Sequence, residues 1–184
     1  KTFFREENLG CKHAVSSAID WFFSKEEMGV ILEDDCLPTQ AFFKFCEELL
    51  DKYRDDTHVG QVSGTNVLGS FDSGYSYHSA RFGSIWGWAT WKRAWDYYDV
   101  EMKMWPSIRD SGSMEKLIPN QQECSVRKRE FEKTYKNEID TWDYQWAFAR
   151  LVNHMQVILP SKNLVANIGF DHLATHTKDT TSSL

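Results

Sequence analysis

The sequence predicts an α/β layered fold, and three observations predict it. Short apolar runs and segments of helical period alternate as strand, helix, strand, helix, strand over the first third of the chain. The run at 28–32 is rich in Val, Ile and Leu, which reads as buried strand, and 59–63 reads as another apolar strand. The 184 residues, 41% hydrophobic and 15% aromatic, can fill the core of one domain.

Each element has a local reason. Phe3-Phe4 is expected to be a short strand, and the polar run 5–10 a turn. Residues 12–23 predict a helix with Val15, Ala18, Ile19 and Phe22 along one face. The run 28–32 is the next strand. Pro38 and Thr39 open a second helix, with Thr39 as its cap. Its stripe is Phe42, Phe45, Cys46, Leu49 and Tyr53, and Asp55-Asp56 closes it. The strand at 59–63 ends at Gly64-Thr65-Asn66. Further on, 75–79 predicts a short strand. Residues 88–98 predict a helix with Trp88, Trp91 and Trp95 on one face. Pro106, Gly112 and Pro119 make 104–122 loop-rich, and 126–137 reads as a charged surface helix. A helix is expected over 141–154, capped by Thr141 or Asp140, followed by short strands at 156–159 and 164–167. The polar tail from Asp171 is expected to end in a disordered stretch at about 177–184.

Composition narrows the function. The formal net charge is -6 and the basic residues form no long patch, which argues against nucleic acid as a partner. No stretch has the length of a membrane-spanning helix, and no signal-peptide pattern is present. Cys11, Cys36, Cys46 and Cys124 lack paired spacing, which argues against zinc and for free thiols in a reducing compartment. The opening Lys1-Thr2-Phe3-Phe4 looks like the middle or end of a strand, so the first part of a larger domain is expected to be missing.

Four segments carry chemistry. Gly29-Val30-Ile31-Leu32-Glu33-Asp34-Asp35 ends an apolar run in three carboxylates. They suit a divalent cation that carries a diphosphate, or they form a solvated acidic loop. Trp86-Gly87-Trp88 combines a close backbone approach at glycine with indoles that can stack on a sugar, although tryptophan stripes are usually core. Asp143, in the first turn of a predicted helix, is either a dipole partner worth about 0.3–1 kcal/mol or a general base. His172 and His176, four apart beside Asp171, can serve as metal or phosphate ligands, or lie on the surface.

Taken together, five blocks resemble a glycosyltransferase of the GT-A fold. They are 5–10 (Arg-Glu-Glu-Asn-Leu-Gly), 31–38 (Ile-Leu-Glu-Asp-Asp-Cys-Leu-Pro), 86–91 (Trp-Gly-Trp-Ala-Thr-Trp), 141–146 (Thr-Trp-Asp-Tyr-Gln-Trp) and 167–170 (Asn-Ile-Gly-Phe). The chain is similar to bacterial nucleotide-diphospho-sugar transferases, loosely family-2-like. The order of the blocks also resembles the N-acetylglucosaminyltransferase I type. The resemblance implies a single catalytic domain over 1–184, with a mixed sheet flanked by helices that lacks the first strand-helix-strand. It implies a metal-dependent inverting transfer from a nucleotide-diphospho-sugar, most plausibly a UDP-sugar, to a saccharide or lipid-linked hydroxyl. Asp35 would hold Mn²⁺ or Mg²⁺ directly, with His176 as a further ligand of metal or diphosphate. Glu33 would face the donor sugar and Asp34 the ribose. Arg5, Asn8, Gly10, Trp86, Gly87, Trp88 and Trp142 would line the donor, and Asp143 would be the base.

A bacterial cytoplasmic role in polysaccharide synthesis, peripheral to the membrane, is the matching expectation. So is self-association through an exposed sheet edge. The alternatives are a carbohydrate-binding module on a degenerate transferase scaffold, with tryptophans stacking on sugar, and a metal-dependent phosphohydrolase that uses Glu33, Asp34, Asp35 and His176.

Overall fold

The structure, a computed structural model, describes residues 2–70 and 74–169. In chain order its elements are α1 (Gly10–Phe23), β1 (Met28–Ile31), β2 (Cys36–Pro38), α2 (Gln40–Lys52), β3 (Val59–Ser63), β4 (Tyr77–Ala80) and β5 (Trp88–Trp91). There follow α3 (Lys92–Trp95), α4 (Trp105–Asp110), α5 (Ser113–Leu117), α6 (Gln121–Tyr135), α7 (Asp143–Val152), β6 (Gln156–Pro160) and β7 (Val165–Asn167). They form a mixed α/β structure in two compact units: Lys1–Glu26 with Trp95–His154, and Glu27–Ala94 with Met155–Leu184.

The second unit holds the sheets. Five strands lie in the order β1-β5-β3-β6-β4. β5 runs antiparallel to both β1 and β3, β3 runs parallel to β6, and β4 is antiparallel to β6. β1, β3 and β6 therefore point the same way, and their C-terminal ends share one edge of the sheet with the start of β5. A second sheet pairs β2 with β7, Cys36 facing Asn167 and Pro38 facing Val165. The predicted stripe of α2 packs on this framework. Phe42, Cys46 and Leu49 are buried with Val59, Val62, Trp91, Ile158 and Val165, while Phe45 and Tyr53 are half-buried against them. Thr39 stands at the N-cap with an extended backbone, but its side chain makes no capping bond. Beyond α2, Arg93 satisfies three backbone carbonyls, those of Arg54 (2.7 Å), Tyr53 (2.8 Å) and Val59 (3.1 Å).

β3 is a strand as expected and is buried at all five residues, Gln61 and Ser63 included. β1 differs from the expectation of a buried strand: it is an edge strand and half-buried throughout. The strand near 75–79 is displaced to Tyr77–Ala80. The largest correction is the predicted helix over 88–98. Residues 88–91 are strand β5, bonded between β1 and β3, and only Lys92–Trp95 coils into a turn of helix. A strand buried on both faces loses the alternation that would betray it, and tryptophans three and four apart then mimic a helix face.

The first unit is helical. Phe3-Phe4 is not a strand: the Phe3 ring stacks on Trp21 of α1 at 5.1 Å, and Phe4 is exposed. The buried face of α1 is Lys12, Ser16, Ile19 and Phe23, turned about one residue from the predicted face. The longer polar residues tolerate this because Lys12 extends its ammonium to Asn137 Oδ1 at 2.8 Å, and Ser16 bonds the Lys12 carbonyl at 2.7 Å. Residues 104–122 are not a plain loop. Pro106 fits the first turn of α4, where no amide is needed, and Gly112 supplies the left-handed N-cap of α5 at φ 69°. α6 starts earlier than predicted, because Asn120 Oδ1 accepts from Glu123 N at 2.9 Å.

Its aromatic core has two clusters. Trp95 stacks on Tyr98 at 4.2 Å and meets Trp146 at 5.2 Å. Trp105, Phe131 and Phe148 meet edge to face at 5.3–5.7 Å. The Trp105 indole donates to Glu132 Oε2 at 2.8 Å, and Lys136 and Arg109 also reach that carboxylate. The Trp105 bond, then those of Lys136 and Arg109, hold Glu132 down to about 2 from its ordinary 4.5. A depressed folded pKa contributes stability above the unfolded value, lost as pH falls through the folded one. Glu132→Gln should therefore lower Tm at neutral pH. Thermal melts should show the gap from wild type closing between pH 4.5 and about 2.

Among the described residues no helix is long and apolar enough to cross a membrane. All four cysteines are free.

Candidate functional site

At the C-terminal end of β1 the chain passes through Leu32 into Glu33, Asp34 and Asp35, then doubles back. The Glu33 carbonyl accepts from Cys36 N at 3.1 Å, which starts β2. Pairing of β2 with β7 draws a distant block onto this turn. Ile168 N donates to the Asp35 carbonyl at 2.9 Å, and Gly169 N donates to Asn167 Oδ1 at 2.8 Å. A Cβ on Gly169 would stand 2.5 Å from Asp35 Oδ2, so only glycine lets the backbone lie against that carboxylate. Cys36 Sγ donates to Asp35 Oδ1 at 3.6 Å. Burial first, then the charges of Asp35 and Glu33, push the Cys36 thiol up, so it stays a protonated donor at neutral pH. Asp34 is exposed, and Glu33 and Asp35 are half-buried.

The Trp86-Gly87 turn enters the same end. Gly87 has φ 63°, and a Cβ there would meet Val165 Cγ2 at 2.7 Å and Leu32 Cδ2 at 3.3 Å. Its carbonyl accepts from Gly64 N at 2.7 Å, and Thr65 Oγ1 donates to the Trp86 carbonyl at 2.6 Å. The second unit therefore gathers the carboxylates, the Trp86-Gly87 turn and the Asn167–Gly169 block at one sheet end, where open α/β sheets collect ligands.

Gly64, Thr65 and Asn66 join them, although the sequence reading gave them no role beyond ending a strand. Asn66 is buried, donates to the Pro160 carbonyl at 2.9 Å and accepts from Leu68 N at 3.0 Å. A Gly-Thr-Asn run directly after a strand was the available signal. Trp86 is half-buried, whereas Trp88 is 0% exposed. Fully buried, the Trp88 ring presents no face to a sugar.

The other candidates lie in the first unit. Asn8 Oδ1 accepts from Gly10 N at 2.9 Å and turns the chain into α1. Asp140 does not cap α7. Its carboxylate accepts from Cys11 N (2.9 Å) and Lys12 N (3.0 Å), capping α1 instead. Gly10, at φ 70°, makes room: a Cβ would stand 2.6 Å from Asp140 Oδ2. Arg5 donates to Ser17 Oγ at 2.6 Å and lies 4.1 Å over the Phe3 ring. It borders a cavity of about 420 Å³ that also touches His13, Asp20, Tyr98 and Asp99. Burial drives the Tyr98 phenol far above its ordinary value, so it serves as a neutral donor. It donates to the Trp142 carbonyl at 3.2 Å. Trp142, 1% exposed, is enclosed near Trp95.

α7 begins at Asp143, with Trp142 at the N-cap and no side-chain capping bond. The expected cap at Thr141 is absent because the Thr141 hydroxyl donates to the Asp143 carboxylate instead. Asp143 is half-buried. His176, with Asp171 and His172, lies outside the described residues.

Among the described residues no three His, Cys, Asp or Glu side chains converge as a metal-binding group. Asp35 is a hard oxygen donor at a strand end. Mg²⁺ and Mn²⁺ are commonly held by one or two carboxylates with the remaining ligands from substrate phosphates. The donor set fits that kind of site. No family model matches the chain, and no curated protein sequence matches it.

Proposed function

We propose that the protein is a metal-dependent inverting glycosyltransferase of GT-A type that uses a UDP-sugar donor. The observation that supports this reading best is the convergence, at one sheet end, of three blocks far apart in sequence: Glu33–Asp35, Trp86-Gly87 and Asn167–Gly169. Glycine at 87 and 169 keeps the backbone tight there.

In this reading Asp35 would hold Mn²⁺ or Mg²⁺, which when bound would supply positive charge to the diphosphate leaving group. Glu33 and Asp34 accept hydrogen bonds from donor hydroxyls. Asp143 takes the proton of the acceptor hydroxyl. The acceptor oxygen bonds to the anomeric carbon as the bond to diphosphate breaks, its electron pair leaving with UDP. The acceptor is a saccharide or a lipid-linked hydroxyl. Trp88 and Trp142 are buried, so neither lines the donor in this reading, nor would either stack on sugar in a carbohydrate-binding module.

The test is UDP release from UDP-glucose, UDP-galactose and UDP-N-acetylglucosamine, with and without simple saccharides. The expected result is release that needs Mn²⁺ or Mg²⁺ and stops with EDTA. Absence of release from every donor in either metal would overturn the reading.

A further inference from the structure

Resting on the transferase reading, we propose that Thr141 is a positioning residue for Asp143 and that Gln145 holds Thr141 in place. A threonine just ahead of a helix ordinarily accepts from a first-turn amide. Here the Thr141 hydroxyl donates to the Asp143 carboxylate, and α7 has no side-chain cap. The hydroxyl is therefore committed to a carboxylate rather than to the helix. It is also the one hydrogen bond that carboxylate makes among the described residues.

The turn bearing Thr141 is fixed in turn. Gln145 Nε2 donates to the Thr141 carbonyl at 2.7 Å, and the Tyr98 phenol donates to the next carbonyl, that of Trp142, at 3.2 Å. Gln145 is 1% exposed, and its Oε1 has no hydrogen-bond partner among the described residues. A buried amide with one end unsatisfied is costly, and its retained bond points to Thr141. The chain of contacts runs from the helix interior, through the backbone of residue 141, to one oxygen of Asp143. The other oxygen is left for the acceptor's proton. Fixing a base in one rotamer is the kind of preorganisation whose loss by about 1 Å can cost 100-fold in rate.

The test compares Thr141→Val, which removes the hydroxyl, with Thr141→Ser, which keeps it. Three-bond couplings to Asp143 Cγ report its χ1 rotamer without any assay of activity. UDP release from UDP-glucose and UDP-N-acetylglucosamine with Mn²⁺ reports the chemistry, and calorimetry with UDP reports donor affinity. Wild type and Thr141→Ser should show one χ1 rotamer, and Thr141→Val an average. Thr141→Val should release UDP about 10- to 100-fold more slowly at saturating donor, with UDP affinity unchanged and Thr141→Ser within a few-fold of wild type.

Unchanged couplings in Thr141→Val would overturn the inference whatever the rates. So would averaged couplings with a wild-type rate. A parallel loss of rate, UDP affinity and Tm in both variants would also overturn it, by making Thr141 merely structural. No UDP release by wild type would overturn the transferase reading and the inference's catalytic part with it, and the couplings would still show separately whether the contact orders Asp143.

Discussion

Asp143→Asn is expected to slow UDP release from the UDP-sugar by about 10²–10⁴-fold, the usual contribution of a positioned general base, while leaving UDP affinity within two-fold of wild type. The substitution is nearly isosteric. The amide oxygen still accepts from Thr141, so the start of α7 should hold its shape and Tm should change little. What is lost is the ability to take a proton from an acceptor hydroxyl. The opposite pattern, a lower Tm with the rate per folded molecule retained, would return Asp143 to the role of a helix-dipole partner. Parallel rate assays, UDP titrations and thermal melts separate the two.

Asp35→Ala is expected to remove the metal's effect on UDP binding. Loss of a mere supporting partner of a metal ligand costs about 10–100-fold in metal affinity, and loss of the ligand itself should cost no less. The fold should survive. The Asp35 contact that joins the two blocks is its backbone carbonyl, which Ile168 N reaches and which alanine retains. Gly169 would gain room, because the Asp35 side chain is what a Cβ there would meet. Circular dichroism should therefore match wild type while the Mn²⁺ dependence of UDP binding disappears.

Much of the sheet unit was legible in the sequence. The alternation of apolar runs and an amphipathic stripe located β1, α2 and β3, and the short runs near 156 and 164 located β6 and β7. These segments are half-buried with a clear period, or fully buried and short. β5 was misread for a physical reason: paired on both sides and buried on both faces, it offers no alternation, and its tryptophan spacing satisfies a helix equally well.

The helical unit was harder to read. Its short helices α4 and α5 carry Pro106 in the first turn and Gly112 at the N-cap, residues that suit a helix start as well as a loop. Asp140 illustrates the limit most clearly. Its position just ahead of α7 predicts a cap for that helix, yet it caps α1, whose bonded amides are 129 and 128 residues away in sequence. Local pattern shows that a carboxylate can cap, and only tertiary structure decides which helix.

At the candidate site, the motif positions were legible and their supports were not. Glu33–Asp35 stood out by residue type, and Gly169 only as part of the 167–170 block. The register of β2 with β7, which sets Gly169 against Asp35, depends on long-range pairing that no local pattern encodes. The burial of Trp88 and Trp142 was equally hidden, because tryptophan serves core and sugar contacts alike.

The measurement that tests the central claim most directly is a calorimetric titration of this chain with UDP, in Mn²⁺ and in EDTA, with Asp35→Ala alongside. The account predicts binding in Mn²⁺ that falls at least about 10-fold in EDTA, and no difference between the two conditions for Asp35→Ala. Wild-type binding that is equal in Mn²⁺ and EDTA, or a metal effect that persists in Asp35→Ala, would contradict it.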